Sequence, residues 1–166
     1  EDPEMRKKQI NDLRQLLAFA SQAQRDGLAS SPINKQELEN IYAETIAVNY
    51  DREINKGKAP MPAFGYITGA AVNAYWAEKE TVGQRTHEAE FTDFLKAKIA
   101  ILKTSSPDMK DREISEDEKS QSRDVYAKTR IYRAEYESKL KAGELSREFI
   151  ANANLQVKLQ QAQFLS

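Results

Sequence analysis

Apolar residues along this chain recur at spacings of three and four, the period of an α-helix, and rarely alternate as a strand would require. The clearest stretch is LRQLLAFASQAQRDGLASSPINKQELENIYAETIAVNYDREI, at 13–54. Together with Ile10, the residues Leu13, Leu16, Leu17, Ala20 and Ala23 form one stripe of a helix predicted over 3–26. Pro3 suits its first turn and Gly27 its stop, because glycine accepts the positive φ that closes a helix. Ser31 followed by Pro32 offers a cap for a second helix, with Asn34 and Glu37 as an alternative capping box. That helix carries Leu38, Ile41, Tyr42, Ile46 and Ile54.

The segment GKAPMPAFG at 57–65 holds two prolines and two glycines and reads as an extended, turn-like break. Thr68 is placed to cap a short third helix with Val72, Tyr75 and Trp76, and a loop near 81–86 leads to a fourth with Phe91, Phe94, Leu95, Ile99 and Leu102. Polar residues and Pro107 make 104–115 a loop or hinge, and Ser115 with Glu118 forms a capping box. A long fifth helix to about 141 shows Tyr126, Thr129, Tyr132, Tyr136 and Leu140 on one face. Gly143 breaks it, and a sixth carries Phe149, Ile150, Ala153, Val157 and Phe164. The run Phe64, Tyr66, Ile67 is too short and isolated to build a sheet. The expectation is an all-α fold of about six helices arranged as helical hairpins around the irregular loop at 57–65. It forms one unit over 1–166 with parts 1–56, 57–112 and 113–166, and the helix–turn–helix plan of 13–54 is echoed at 125–165. Pro60, Pro62 and Pro107 read equally as hinges or as rigid connectors. Because the chain starts at Glu1 and stops with the helical pattern still running, we expect a piece of a longer polypeptide.

Charge changes the picture by exclusion. The 25 basic and 26 acidic residues interleave and nearly cancel, so no basic stripe favours nucleic acid. No apolar run approaches the roughly 18 residues of a membrane span. With no cysteine, disulfides and thiolate chemistry are ruled out, and with His87 as the one histidine so is any site needing two imidazoles. No serine sits in a nucleophile-elbow context, no glycine loop cradles phosphate, and the acidic groups Glu88/Glu90 and Glu116/Asp117/Glu118 read as first-turn charges. His87 itself reads as a solvated residue in a first helical turn. No catalytic residue, cofactor or metal ligand is therefore assigned. The amphipathic rings are the remaining candidates for contact with a polypeptide: Tyr42, Tyr66, Tyr75, Trp76, Tyr126, Tyr132 and Tyr136. The same spacing suits half-buried core positions, and both readings stay open.

Three segments, LLAFASQAQRDGL, AVNYDREI and ITGAAVNAYWAE, bring in a family. Their order resembles the helical chaperone region of SurA-type and PrsA-type extracytoplasmic folding factors, which often carry parvulin peptidyl-prolyl isomerase domains. Ile67, Thr68, Val72, Tyr75 and Trp76 stand in the I-[ST]-x-x-x-[VI]-x-x-Y-[YFW] segment of that family. The resemblance covers 13–80 directly, and 113–166 looks like a second copy of the plan. Gly69, Ala70 and Ala71 depart from it, replacing an acidic or polar stretch. The resemblance implies a module outside the cytoplasm that holds unfolded exported polypeptides, with any isomerase domain beyond Ser166 and no catalytic residue to carry over. The alternative is a helical adaptor that assembles with one defined partner or with itself.

Overall fold

Among the described residues six α-helices account for the regular structure: α1 Pro3–Arg25, α2 Pro32–Ile54, α3 Gly69–Ala77, α4 His87–Ser105, α5 Glu116–Lys141 and α6 Arg147–Leu165, with a 3-10 turn Leu28–Ser30 between the first two. The computed structural model describes residues 2–78, 83–106, 108 and 110–166, and among them there is no strand. Part of the predicted loop at 81–86, the hinge residue Pro107 and the last residues of the family resemblance (79–80) lie outside the described residues.

Each helix begins at a side chain that accepts a backbone N–H of its first turn: Asp2, Ser31, Thr68, Thr86, Ser115 and Ser146. At the second helix the choice falls on Ser31, which accepts from the Asn34 N–H at 3.2 Å, while the Asn34 amide turns back to the Leu28 carbonyl at 2.8 Å. Gly27 and Gly143 follow α1 and α5 with φ of 81° and 71°, the left-handed geometry that ends a helix at little cost to glycine.

The centre of the molecule is α2, which packs against α4, α5 and α6. Its innermost stripe is Glu37, Asn40, Ala43, Ile46, Ala47 and Tyr50, where two alanines let neighbouring helices approach. The hairpin plan places turns where the sequence puts them, but the close partners are not sequence neighbours. α1 packs on α6 through Ala20, Ala23, Ala162 and Leu165, and α3 packs on α5. Around this frame lie two aromatic centres. Tyr50, Phe64, Tyr132 and Tyr136 fill one, and Tyr126 with Phe91 and Phe94 fills the other, flanked by the half-buried Tyr75 and Trp76. The loop at 57–65 is pinned to the first: Phe64 is driven inward at a φ of 62°, its N–H donated to Asp51 at 3.2 Å and its ring 6.0 Å from Tyr132.

The apolar stripe predicted for α1 divides in two. Ala20 and Ala23 are buried, but Ile10, Leu13 and Leu17 remain 44%, 38% and 38% exposed. Among the described residues the first turns of α1 have no helix to lie against, because its packing on α6 runs through Ala20 and Ala23 at the far end.

The tie between α2 and α4 is ionic. Lys98 reaches Glu37 at 2.8 Å and Glu44 at 3.1 Å, and buried Glu37 also accepts from the Asn40 amide at 3.1 Å. Burial works against the Lys98 ammonium, but Glu44 and then Glu37 outweigh it and hold its pKa above the ordinary lysine value. Lys98→Met leaves the Glu37 carboxylate buried without a cation. We expect a loss of about 2–3 kcal/mol, read as a drop in Tm of roughly 5–10 °C. The double variant Lys98→Met/Glu37→Leu should recover most of it, because no charge is then stranded. Equal losses in the single and double variants would show that Glu37 is not stranded.

Candidate functional site

Along the first half of α2, between α4 and α6, runs an open groove of about 940 Å³. Ile33, Leu38 and Tyr42 of α2, Ala97 of α4 and Val157 of α6 supply its apolar lining. Lys35, Lys96, Asp93 and Gln161 give polar groups around it. The helical repeat brings these together: Leu38 and Tyr42 lie one turn apart on α2, and Val157 and Gln161 one turn apart on α6. Gln161 donates to the Leu38 carbonyl at 3.1 Å, fixing one wall to the floor. Tyr42 donates to Glu137 at 3.3 Å, and burial, then the Glu137 charge, push its phenol up to about 12, so it stays a neutral donor at neutral pH. An apolar trough with a mixed polar edge can hold a chain by area.

Gln36, Glu39 and Asp93 also line a smaller recess of about 190 Å³, walled by Arg85, Glu90, Tyr126, Arg130 and Arg133. Two of its arginines are paired, Arg133 with Glu39 and Arg85 with Asp93. The Arg130 guanidinium lies 4.5 Å above the Tyr126 ring.

Of the aromatic residues singled out from the sequence, Tyr42 lines the groove. Tyr66 sits in the loop after α2, its hydroxyl donated to the Ala59 carbonyl and Lys58 5.1 Å over its ring. Tyr75 and Trp76 are half-buried at the second aromatic centre, where Arg123 covers the Trp76 ring at 3.6 Å. Tyr126, Tyr132 and Tyr136 follow the core-position reading of their spacing. All three are buried, Tyr132 and Tyr136 in the first aromatic centre and Tyr126 in the second, where it also forms part of the wall of the smaller recess. His87 is also more engaged than a solvated first-turn residue. It stacks on Tyr75 at 3.9 Å and 15°, with Nε2 2.8 Å from Glu78. Glu88 pairs with Arg123, and that hydrogen bond holds its carboxyl below the usual range.

Sequence reasoning saw Leu38 and Val157 as helix-face residues and gave Ile33 and Arg130 no role. Ile33 stands outside the periodic stripe, and Arg130 is one of several cations in α5. Among the described residues no helix is long and apolar enough to cross a membrane. Compared with known proteins, the chain matches no family model, no curated protein and no solved structure.

Proposed function

We propose that this chain is a polypeptide-holding module of the SurA/PrsA kind, which captures unfolded exported proteins on the extracytoplasmic side of a membrane. The groove along α2 carries the reading: it is open, lined by apolar side chains and edged by adaptable polar ones. Its volume is that of a ligand site, roughly 300–1,000 Å³, but its shape suits an extended segment. In the family it resembles, such a module stands beside a parvulin-type domain, so we place any prolyl isomerisation of the whole protein outside residues 1–166.

The test is aggregation of a chemically denatured client on dilution. A molar excess of the wild-type chain is expected to suppress light scattering, and Ile33→Asp/Tyr42→Ser to lose at least half of that suppression while keeping its helical spectrum. Unchanged client aggregation with the wild type, or full protection by the double variant, would sink the reading.

A second reading, an adaptor that binds one partner or itself, is favoured by α1. Ile10, Leu13 and Leu17 share one stripe and stay 44%, 38% and 38% exposed. Contiguous apolar surface of this sort is uncommon on inert monomers. Sedimentation and scattering separate the two: a compact monomer of this length has a radius of gyration of about 15 Å, and self-association abolished by Ile10→Asp/Leu13→Asp would favour the adaptor.

A further inference from the structure

Among the described residues, two buried side-chain polar atoms have no hydrogen-bond partner: the Tyr126 hydroxyl and Nη1 of Arg130. Both belong to side chains in the wall of the recess beside the groove, and they are among the most enclosed polar groups in the protein, with Tyr126 1% and Arg130 6% exposed. Folded proteins seldom leave a buried donor unpaired, and a guanidinium without an anion is the costliest kind. The neighbouring cations do not share this condition, since Arg85 and Arg133 already hold Asp93 and Glu39. Burial first, and then the charge of and a side-chain hydrogen bond with Tyr126, raise the Tyr75 phenol, but that contact falls short of ordinary hydrogen-bond geometry at the Tyr126 hydroxyl.

From this we infer that the recess is a carboxylate-binding subsite of the groove, in which Arg130 and Tyr126 receive an acidic side chain or terminal carboxylate of the held polypeptide. The inference rests on the polypeptide-holding reading and names a chemical preference for it. The geometry fits that ligand. The Arg130 guanidinium lies 4.5 Å over the Tyr126 ring, and with Nη1 enclosed it is the remaining N–H groups that a planar acceptor in the recess would meet. A recess of about 190 Å³ has room for a carboxylate and a few waters, each with a share of roughly 30 Å³. Glu39, Glu90 and Asp93 face Arg85, Arg130 and Arg133 in the same wall, so a phosphate dianion is a poor occupant and a single carboxylate enters by taking the place of Glu90 at Arg130. Glu90 has no ion pair among the described residues, and it is the internal competitor for Arg130. Because Gln36, Glu39 and Asp93 line both spaces, a chain lying in the groove passes the mouth of the recess.

The experiment uses the full chain and labelled apolar peptides of leucine, alanine and phenylalanine, followed by fluorescence anisotropy. One peptide carries a central Glu and one a Gln, both amidated; a third is the Gln peptide with a free C-terminal carboxylate. The acidic peptides are expected to bind about tenfold tighter than the amidated Gln peptide, and whichever of the two shows the preference identifies the source of the carboxylate. Arg130→Met should abolish the preference, Glu90→Gln should enlarge it, and Tyr126→Phe, which keeps the ring and so keeps the test valid should Arg130→Met not fold, should reduce it severalfold. Equal binding of all three peptides overturns the subsite and leaves the groove reading standing. If no peptide binds, the groove reading fails, and a thermal melt in acetate against chloride at equal ionic strength decides the recess alone. A rise in Tm lost in Tyr126→Phe retains it as a carboxylate site, and no rise overturns it.

Discussion

Raising the pH from about 9.5 to about 11.5 is expected to unfold this protein cooperatively, with tyrosine ionisation and helix loss in one transition. Tyr42, Tyr50, Tyr75, Tyr132 and Tyr136 all have phenol pKa values raised in the folded state, and burial is the largest cause for each. Tyr42 is pushed up to about 12. In the unfolded chain these groups titrate near 10. Below that value both states hold the phenolic protons and stability does not depend on them. Above it the unfolded chain gives up protons that the folded one retains, so stability falls as pH rises. Each phenol contributes up to about 1.4 kcal/mol per pH unit until it titrates in the folded state as well, and several acting together weigh against a total stability of only ~5–15 kcal/mol. Lys98 acts in the same direction: its raised pKa stabilises fully below the unfolded lysine value and is lost as pH climbs through the folded one. The check is absorbance of phenolate beside far-ultraviolet circular dichroism. Should all seven tyrosines ionise near pH 10 with the helices intact, the buried placement of these rings would be wrong.

Those tyrosines also show what could be read from the chain alone. Helical period and punctuation were legible because they are local: Ser31, Thr68 and Ser115 cap where the sequence places caps. Thr86 and Ser146 do the same work without a preceding signal strong enough to single them out. Which face of each helix meets which neighbour is not local. α2 is touched by three helices, so its surroundings are half-buried on most sides and its innermost stripe opens with Glu37 and Asn40, residues a hydrophobic pattern assigns to solvent. α1 fails in the opposite sense, with a regular stripe whose first half has nothing to cover it. The groove depends on three helices far apart in sequence, and the recess on Arg130, whose guanidinium lies over the rings of Tyr126 and Phe94 from two different helices. Tyrosine at helical spacing is compatible with a wet contact or a core position. Only the packing decides that Tyr126, Tyr132 and Tyr136 are core and Tyr42 borders the groove.

Replacing Tyr50 by alanine should be the most damaging single truncation in the first aromatic centre. Tyr50 is fully buried, edge-on to Tyr132 at 5.3 Å and to Tyr136 at 6.4 Å, with the Lys139 ammonium 5.3 Å over its ring. Its hydroxyl donates to Glu135 at 3.0 Å. Removing an aromatic side chain from such a site costs about 3–5 kcal/mol, or roughly 10–15 °C in Tm for a chain of this size. Tyr50→Phe keeps the ring and loses one hydrogen bond, so it should cost only about 1 kcal/mol. Phe19→Ala, at an exposed ring of α1, should stay within about 0.5 kcal/mol. Thermal melts of the three variants decide whether the fold rests on ring packing: a Phe variant as damaged as the Ala variant would place the energy in the Glu135 hydrogen bond. The consequence reaches the groove, because Tyr50 holds α2 against α5 and α6 while Leu38 and Tyr42 project from the same helix. Tyr50→Ala is therefore expected to weaken client holding well below its Tm, whereas Tyr50→Phe keeps both the position of α2 and the capture of clients.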